Sequence, residues 1–436
     1  MDSVKIIGGG LAGCEAAWQL VRRNIPVEIY EMRPEQPTPA HRSGKFAELV
    51  CSNSLRAQGI GNAVGVLKEE MRRLDSLIMA CADLHQVPAG GALAVDREAF
   101  SQEVTQRLEA HPLVTIHRQE VKELPVAGIT VLATGPLTSD ALIQNLIETT
   151  GSKQFYFYDA AAPIVTVESL DLEEGFWLSR YDKGEKDYFN CPMNREQYQI
   201  FYDALVSAVV TPARAFEKEI FFEGCMPVEV LAGRGPQTLL FGNLKPVGLQ
   251  DPRKEERPYA VVQLRQDDGA CTLMNMVGFQ TRLTRPEQQR VFRLIPGLGH
   301  AEFARYGMVH RNTFLNSPEL LLPTGQFKKF PNVLVAGQLS GVEGYVESAA
   351  SGLAAGINSG LMFHNKEAIT FPEASAIGSL LRYIVTTDAK HFQPMNITFG
   401  LMPPLEVKIR DKKAKNEQLA NRALAAIDQF KLKLSE

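Results

Sequence analysis

Apolar residues recur along this chain in two rhythms. Short, almost unbroken runs predict strands buried on both faces: Val4-Lys5-Ile6-Ile7, Val27-Glu28-Ile29-Tyr30, Ile129-Thr130-Val131-Leu132-Ala133 and Val333-Leu334-Val335-Ala336. Longer stretches with apolar positions at helical spacing lie between them. Residues 14–23 set Ala17, Trp18 and Val21 along one side, and residues 345–359 are rich in small side chains. Strand and helix alternate through about residue 178, the pattern of an α/β domain on a parallel sheet. Two segments break the alternation. Residues 169–187 are acidic and contain glycine. Residues 246–258 carry Pro246, Pro252 and Pro258 among charged side chains, which reads as a second hinge. Between the hinges lie one helix, near 195–209, and several short strands. The predicted organisation is a first part at 1–178, a smaller α+β insertion at 179–245, and a second part at 246–436. The last part ends in a basic amphipathic helix over about 405–434.

The first strand runs into Gly8-Gly9-Gly10-Leu11-Ala12-Gly13, which fits G-x-G-x-x-G. Gly8 permits a tight turn, Gly10 lets the backbone approach a pyrophosphate, and Gly13 lets helix and strand pack closely. The helix that starts here offers free N–H groups and a positive dipole to phosphate. Glu31 follows Gly8 by 23 residues, at the end of the second strand, where a carboxylate can accept a bond from a ribose hydroxyl. A lone G-x-G-x-x-G is a weak signal. Strand, turn, helix, strand and acid in the right order are the context that gives it weight.

Two later segments bear on which dinucleotide is held. One strand ends in Ala133-Thr134-Gly135. Another ends in Gly337-Gln338, followed by Gly341-Val342-Glu343-Gly344 and the small-residue helix. This three-part layout resembles the glutathione-reductase-like class of flavoproteins. The resemblance implies a Rossmann FAD-binding domain interrupted by the smaller insertion, with FAD rather than NAD in the fingerprint and the late segment closing over it. Tyr345, at the start of the late helix, is expected to pack against the flavin or the core, with stacking on a flipped base as the alternative.

Composition narrows the classes. Hydrophobic residues are 45% and charged residues 22% of 436, which excludes collagen-like and disordered chains. Lys plus Arg is 46 against 50 for Asp plus Glu, a formal charge of -4. Nucleic acid, if bound, must therefore meet a local basic patch. Candidates are the stripe Lys408, Lys412, Lys415 and Arg422, the pair Lys328-Lys329, and Arg253-Lys254. The six cysteines, at 14, 51, 81, 191, 225 and 271, contain no CxxC or paired zinc spacing, so neither a metal site nor a disulfide framework is expected. No apolar run approaches a membrane span, and no signal peptide is evident at the start; a cytoplasmic protein is expected. The sequence is silent on oligomeric state. Cys14 and Cys81 sit on predicted helix faces, and Cys271 lies in a predicted strand pair. Cys51, in Glu48-Leu49-Val50-Cys51-Ser52-Asn53-Ser54-Leu55-Arg56, and Cys225, between Gly224 and Met226-Pro227, lie in polar or irregular settings where a thiol can react.

Several blocks together resemble one family across essentially the whole chain: Gly8 to Ala17, Glu31-Met32-Arg33-Pro34, Cys51-Ser52-Asn53-Ser54, Phe222-Glu223-Gly224-Cys225-Met226-Pro227 and Phe392-Gln393-Pro394-Met395-Asn396. The chain is similar to the folate- and FAD-dependent tRNA (uracil-5-)-methyltransferases, relatives of the glucose-inhibited-division flavoproteins. The resemblance implies FAD, NADH or NADPH as reductant, 5,10-methylenetetrahydrofolate as carbon donor, and the T-loop uridine of tRNA as acceptor. It also implies that Arg33 belongs with Glu31 in the cofactor site and that Cys51 and Cys225 are catalytic. The chemistry suits two thiols. Carbon 5 of uracil is a poor nucleophile until a thiolate adds at carbon 6, and a base must then remove the carbon 5 proton. Cys225 is assigned as nucleophile and Cys51 as base; residue types alone leave the reverse open. The alternatives are the same chemistry on a ribosomal RNA uridine and an RNA-independent NAD(P)H flavin oxidoreductase.

Overall fold

A computed structural model describes residues 3–151, 155–182, 185–211 and 226–435. Cys225, with its predicted role as nucleophile, lies outside the described residues. The protein is an α/β structure with two sheeted bodies. The first contains a five-stranded parallel sheet in the order Val333–Val335, Thr130–Leu132, Val4–Ile7, Val27–Tyr30, Val114–His117. Crossovers place the first strand at the centre, so its side chains, apart from Lys5, are buried. That burial explains why these strands read as apolar runs rather than alternations.

Helix Leu11–Val21 and the late helix Tyr345–Phe363 pack side by side on this sheet. Glycines set their spacing. A Cβ on Gly352 would stand 2.1 Å from the Ala12 carbonyl oxygen, and one on Gly356 would stand 2.6 Å from that of Ala16. The matched pairs run in the same direction, so the two helices are parallel. Tyr345 lies six residues before the level of Leu11, about 9 Å farther out at 1.5 Å per residue. The start of the late helix therefore overhangs the fingerprint turn.

The second body carries a six-stranded antiparallel sheet in the order Phe176–Trp177, Tyr188–Met193, Ala260–Gln266, Leu273–Met276, Ile164–Thr166, Phe303–Arg305. Its core gathers residues from Val165 to Ala301, including Phe201 on helix Arg195–Val206. This body is wider than the expected 179–245. Short strands on both sides of that interval pair into one sheet, and nothing local in the sequence announces such a pairing. Cys191 lies in the middle of one of these strands and is buried.

The C-terminal helix is Lys412–Ser435, shorter than the expected 405–434 at its start. The Asp411 carboxylate accepts from the Ala414 N–H at 2.7 Å, and the Asp411 carbonyl accepts from the Lys415 N–H at 2.9 Å. Asp411 thus acts as the N-cap. Lys408 and Arg410 fall in the irregular segment before it. Among the described residues, no helix is long and apolar enough to cross a membrane.

Candidate active site

The fingerprint turn is held by close approaches that only glycine permits. Gly8 has φ +105°, and a Cβ there would stand 2.4 Å from the Ala133 carbonyl oxygen. A Cβ on Gly13 would stand 1.9 Å from the Gly8 carbonyl oxygen. Gly10 differs: a Cβ there would meet nothing within 4 Å. Gly10 is the N-cap of the first helix and makes no side-chain cap, so the leading N–H groups of Leu11, Ala12 and Gly13 have no intrahelical acceptor. An open face beside free helix donors is the donor set a pyrophosphate requires, and the residues present fit FAD.

Glu31 is buried and already engaged. It accepts from the Gly9 N–H at 2.8 Å, and from the backbone N–H and Nε of Arg33 at 2.9 Å each. Burial raises the Glu31 carboxyl, but the Arg33 guanidinium outweighs it and holds the group below the usual carboxylate range. Arg33 reaches on to Glu48 at 3.4 Å. A cleft beside this pair is lined by Gly8, Tyr30, Glu31, Thr134, Thr138 and Ser139. It brings Glu31 and Thr134 together at the carboxyl ends of the strands, where doubly wound sheets bind ligands. Gly135, at φ +68°, turns the chain beyond Thr134. Thr138 and Ser139 had no motif to mark them. The Thr138 hydroxyl contacts that of Thr134 at 2.6 Å, and the Ser139 hydroxyl caps helix Asp140–Thr150 by accepting from the Leu142 N–H.

The late glycine loop closes toward the same place. Gly337 has φ +75°, its N–H donates to the Ser351 hydroxyl at 2.7 Å, and a Cβ there would lie 3.0 Å from the Ala12 side chain. Gln338 donates to the Glu343 carboxylate. Gly341 and Gly344 also have positive φ. The block 392–396 buttresses this loop. The Met395 carbonyl accepts from the Glu343 N–H at 3.0 Å, the Asn396 amide donates to the Glu343 carbonyl at 2.7 Å, and Phe392 packs on Gly341.

Cys51 sits half-buried on a loop clamped from several elements. Arg97, on helix Arg97–Glu109, donates to the Leu49 carbonyl and pairs with Asp267 at 2.9 Å. Burial lowers the Arg97 guanidinium, but the Asp267 carboxylate outweighs it, so the net shift is upward. Arg305, in the second body, donates to the Val50 carbonyl at 2.7 Å. The Cys51 and Ser52 N–H groups both donate to the Tyr345 hydroxyl, at 2.6 and 3.3 Å. The buried Asn53 amide donates to the Val95 and Gln266 carbonyls, and its oxygen accepts from Arg265 at 2.9 Å. The Cys51 Sγ lies 3.6 Å from the Ala160 carbonyl oxygen. Sequence reasoning singled out Cys51 but missed this harness, whose members lie between 40 and nearly 300 residues away. The expectation for Tyr345 concerned its ring; the hydroxyl contact with Cys51 was not foreseen.

The three buried cysteines are set apart. Burial pushes the thiols of Cys14 and Cys191 well up and that of Cys81 up to about 12, so they stay protonated and inert.

Several candidate phosphate contacts are engaged within the protein. Lys328 donates to the Pro318 and Glu319 carbonyls, and Lys329 to that of Thr149. Arg253 pairs with Asp251, and Arg422 donates to the Pro403 and Pro404 carbonyls. Lys408, Arg410, Lys412, Lys413 and Lys415 are exposed. Their side chains have no acidic partner among the described residues.

The chain matches the glucose inhibited division protein A family over residues 3–367. A Heliobacterium modesticaldum protein named methylenetetrahydrofolate–tRNA-(uracil-5-)-methyltransferase TrmFO is 60% identical over 428 residues, covering 98% of each chain. An Anoxybacillus flavithermus protein of the same name is 61% identical over 431 residues, covering 99% of this chain and 100% of the relative. Among solved structures, Aquifex aeolicus GidA superposes with a TM-score of 0.69 at 15% identity, over 99% of this chain and 75% of that one. That likeness speaks for the fold alone. With its fingerprint, late glycine loop and near full-length relatives, the chain belongs to the glucose inhibited division protein A family, among the methylenetetrahydrofolate–tRNA-(uracil-5-)-methyltransferases.

Proposed function

We propose that this enzyme methylates carbon 5 of a uracil in tRNA, with methylenetetrahydrofolate as carbon donor, and that the acceptor is the T-loop uridine of the T-arm. FAD belongs on the fingerprint: Leu11, Ala12 and Gly13 offer N–H groups to its pyrophosphate and Glu31 faces its ribose. When bound, it supplies the electrons that turn a formaldehyde-level carbon into a methyl group. NADH or NADPH restores those electrons, and the cytoplasm is the place of action.

The observation that carries the reading is the clamped loop of Cys51, held between the fingerprint body and the antiparallel body. Cys225 adds as thiolate to carbon 6 of the uracil, which makes carbon 5 nucleophilic. Cys51 takes the carbon 5 proton after the carbon is attached, and the Cys225–carbon 6 bond then breaks. A base must be rigidly placed to be effective, and the backbone around Cys51 is fixed at every residue from 49 to 53. The Nε–H groups of Arg97 and Arg305 are buried with no hydrogen-bond partner among the described residues. Such donors suit an anionic ligand group, of the kind folate and RNA both carry.

The reading is tested by offering labelled methylenetetrahydrofolate or labelled S-adenosylmethionine with unmodified tRNA, a T-arm hairpin or ribosomal RNA. The expected result is label from the folate alone, in tRNA and in the hairpin, at carbon 5. Label from S-adenosylmethionine, label confined to ribosomal RNA, or NAD(P)H oxidation with no carbon transfer would each overturn it.

A further inference from the structure

Arg56 carries a side chain, yet its backbone is left-handed, with φ +63°. L residues disfavour this conformation, and it persists where the surroundings over-determine it. The strand Ser54–Ala57 bulges here. Ser54 pairs with Ala94 and Ala57 with Ala92, so Leu55 and Arg56 together face Leu93. A bulge of this kind re-aims a side chain. The carbonyls on either side of Arg56, of Leu55 and Ala57, both accept from the Lys68 amine at 2.7 Å. Lys68 is fully buried on helix Ala63–Arg73, and its amine clamps the bulge. The re-aimed Arg56 reaches the late helix and pairs with Glu347, whose side chain has no exposed surface. The Glu347 Oε1 also accepts from the Ile397 N–H at 3.0 Å. Its Oε2 is buried without a hydrogen-bond partner among the described residues, and a Cβ on Gly344 would lie 2.5 Å from it.

From this geometry we infer that Arg56 is a positioning residue: it latches the cysteine loop to the late helix, and Lys68 holds the bulge that aims it. The inference rests on the proposed role of Cys51 but concerns other side chains. Both ends of the latch adjoin working parts. The strand Ser54–Ala57 follows directly on the cysteine loop, and Glu347 lies in the first turn of the late helix, whose N-cap is Gly344 of the glycine loop. A carboxylate removed from water needs a compensating cation. Arg56 is the one cation paired with Glu347 among the described residues. Burial raises the Glu347 carboxyl, and the Arg56 charge is the largest influence that pulls it back. The latch joins two elements of the fingerprint body, whereas Arg305 and Arg265 hold the cysteine loop from the antiparallel body.

The test uses the holoenzyme. Glycine adopts a positive φ without strain, so Arg56→Gly removes the guanidinium and leaves the bulge its backbone. This variant is expected to keep its flavin and a KM for tRNA within about threefold, to lose about 10- to 100-fold in kcat, and to change the rate of Cys51 alkylation by iodoacetamide by at least about threefold. Arg56→Lys keeps the charge and is expected to recover kcat to within about fivefold of wild type. Glu347→Gln is expected to reproduce the loss, and the double variant to lose no more than the worse single one. A raised KM with unchanged kcat would make Arg56 an RNA contact and overturn the inference. So would unchanged kcat and alkylation in Arg56→Gly, or losses that add in the double variant. Should Glu347→Gln not fold, hydrogen exchange in Arg56→Gly decides. A peptide covering residues 49–53 is expected to exchange faster than in the wild type, and equal rates overturn the inference. Retained turnover in Cys51→Ala would instead sink the role of Cys51, a separate outcome, and the exchange comparison would still decide the latch.

Discussion

A methyl group on Gly13 would lie 1.9 Å from the carbonyl oxygen of Gly8, inside any allowed contact. The turn and the first helix are therefore fixed to each other by the absence of a side chain. Gly13→Ala is expected to cost about 1–3 kcal/mol through overpacking and to lower the flavin content of purified protein. Gly10→Ala separates stability from binding, because a Cβ at Gly10 meets no protein atom within 4 Å. It is expected to leave the thermal midpoint within about 2 °C while the flavin absorbance per chain falls. Normal flavin content in Gly10→Ala would mean that this face is not the pyrophosphate cradle.

Glu31 and Arg33 form a buried pair, with side-chain exposures of 7% and 4%. Removing one partner of such a pair typically costs 3–5 kcal/mol, because the other charge is left uncompensated. Glu31→Gln is expected to be destabilised on that order at pH 7. The pH dependence has a definite sign. The folded carboxyl lies below its ordinary value of 4.5, so its stabilisation is present above that value and is lost as pH falls through the folded value. Denaturant midpoints of the wild type and the variant should converge as pH falls through the depressed folded value.

Lys68 shows the opposite linkage. It is buried in helix Ala63–Arg73 and donates to the Leu55 and Ala57 carbonyls at 2.7 Å, which ties down the strand after Cys51. Burial first, and then the Arg56 charge, lower it to about 7. The folded state thus prefers the neutral amine. The penalty is full below pH 7 and is relieved as pH rises toward the ordinary lysine value. Lys68→Met is expected to be more destabilising relative to wild type at pH 9.5 than at pH 6.5, by thermal melting. The reverse order would contradict the burial argument.

Much of the first body is legible in the sequence because its signals are local. The run Val4 to Ile7, three spaced glycines and an acid 23 residues on fall within one strand–helix–strand unit. The late segment is legible for the same reason, since Gly337, Gly341 and Gly344 are needed by their own φ angles. The second body is less so: the pair near 262 and 274 is local, but the strands near 190 and 164 join it across long separations that leave no local trace. The last helix starts later than expected because Lys408 extends the helical spacing of Lys412 and Lys415 back into 405–411, whereas the Asp411 carboxylate caps the helix by accepting from the Ala414 N–H. Cys51 stood out by its polar neighbours. Tyr345, Arg97 and Arg305 did not, because each acts on a backbone group of a distant loop and leaves no periodic trace.

Lys412, Lys413 and Lys415 are exposed at the start of the last helix, and Asn416 bonds the Gly61 carbonyl at 3.3 Å. That contact sets the basic end beside the exposed loop leading back to Cys51. Replacing the three lysines with alanine is expected to weaken tRNA binding and to flatten the slope of log Kd against log salt by about 2. An unchanged slope would place the RNA backbone elsewhere.

The account turns on a thiol bonded to carbon 6 of the target uracil. A T-loop RNA carrying 5-fluorouridine, which cannot lose its carbon 5 substituent as a proton, should be trapped covalently when mixed with the holoenzyme and methylenetetrahydrofolate. The adduct is expected in the wild type and in Cys51→Ala, and is expected to be absent in Cys225→Ala, with turnover on ordinary tRNA lost in both variants. An adduct and turnover that neither substitution alters would contradict the account.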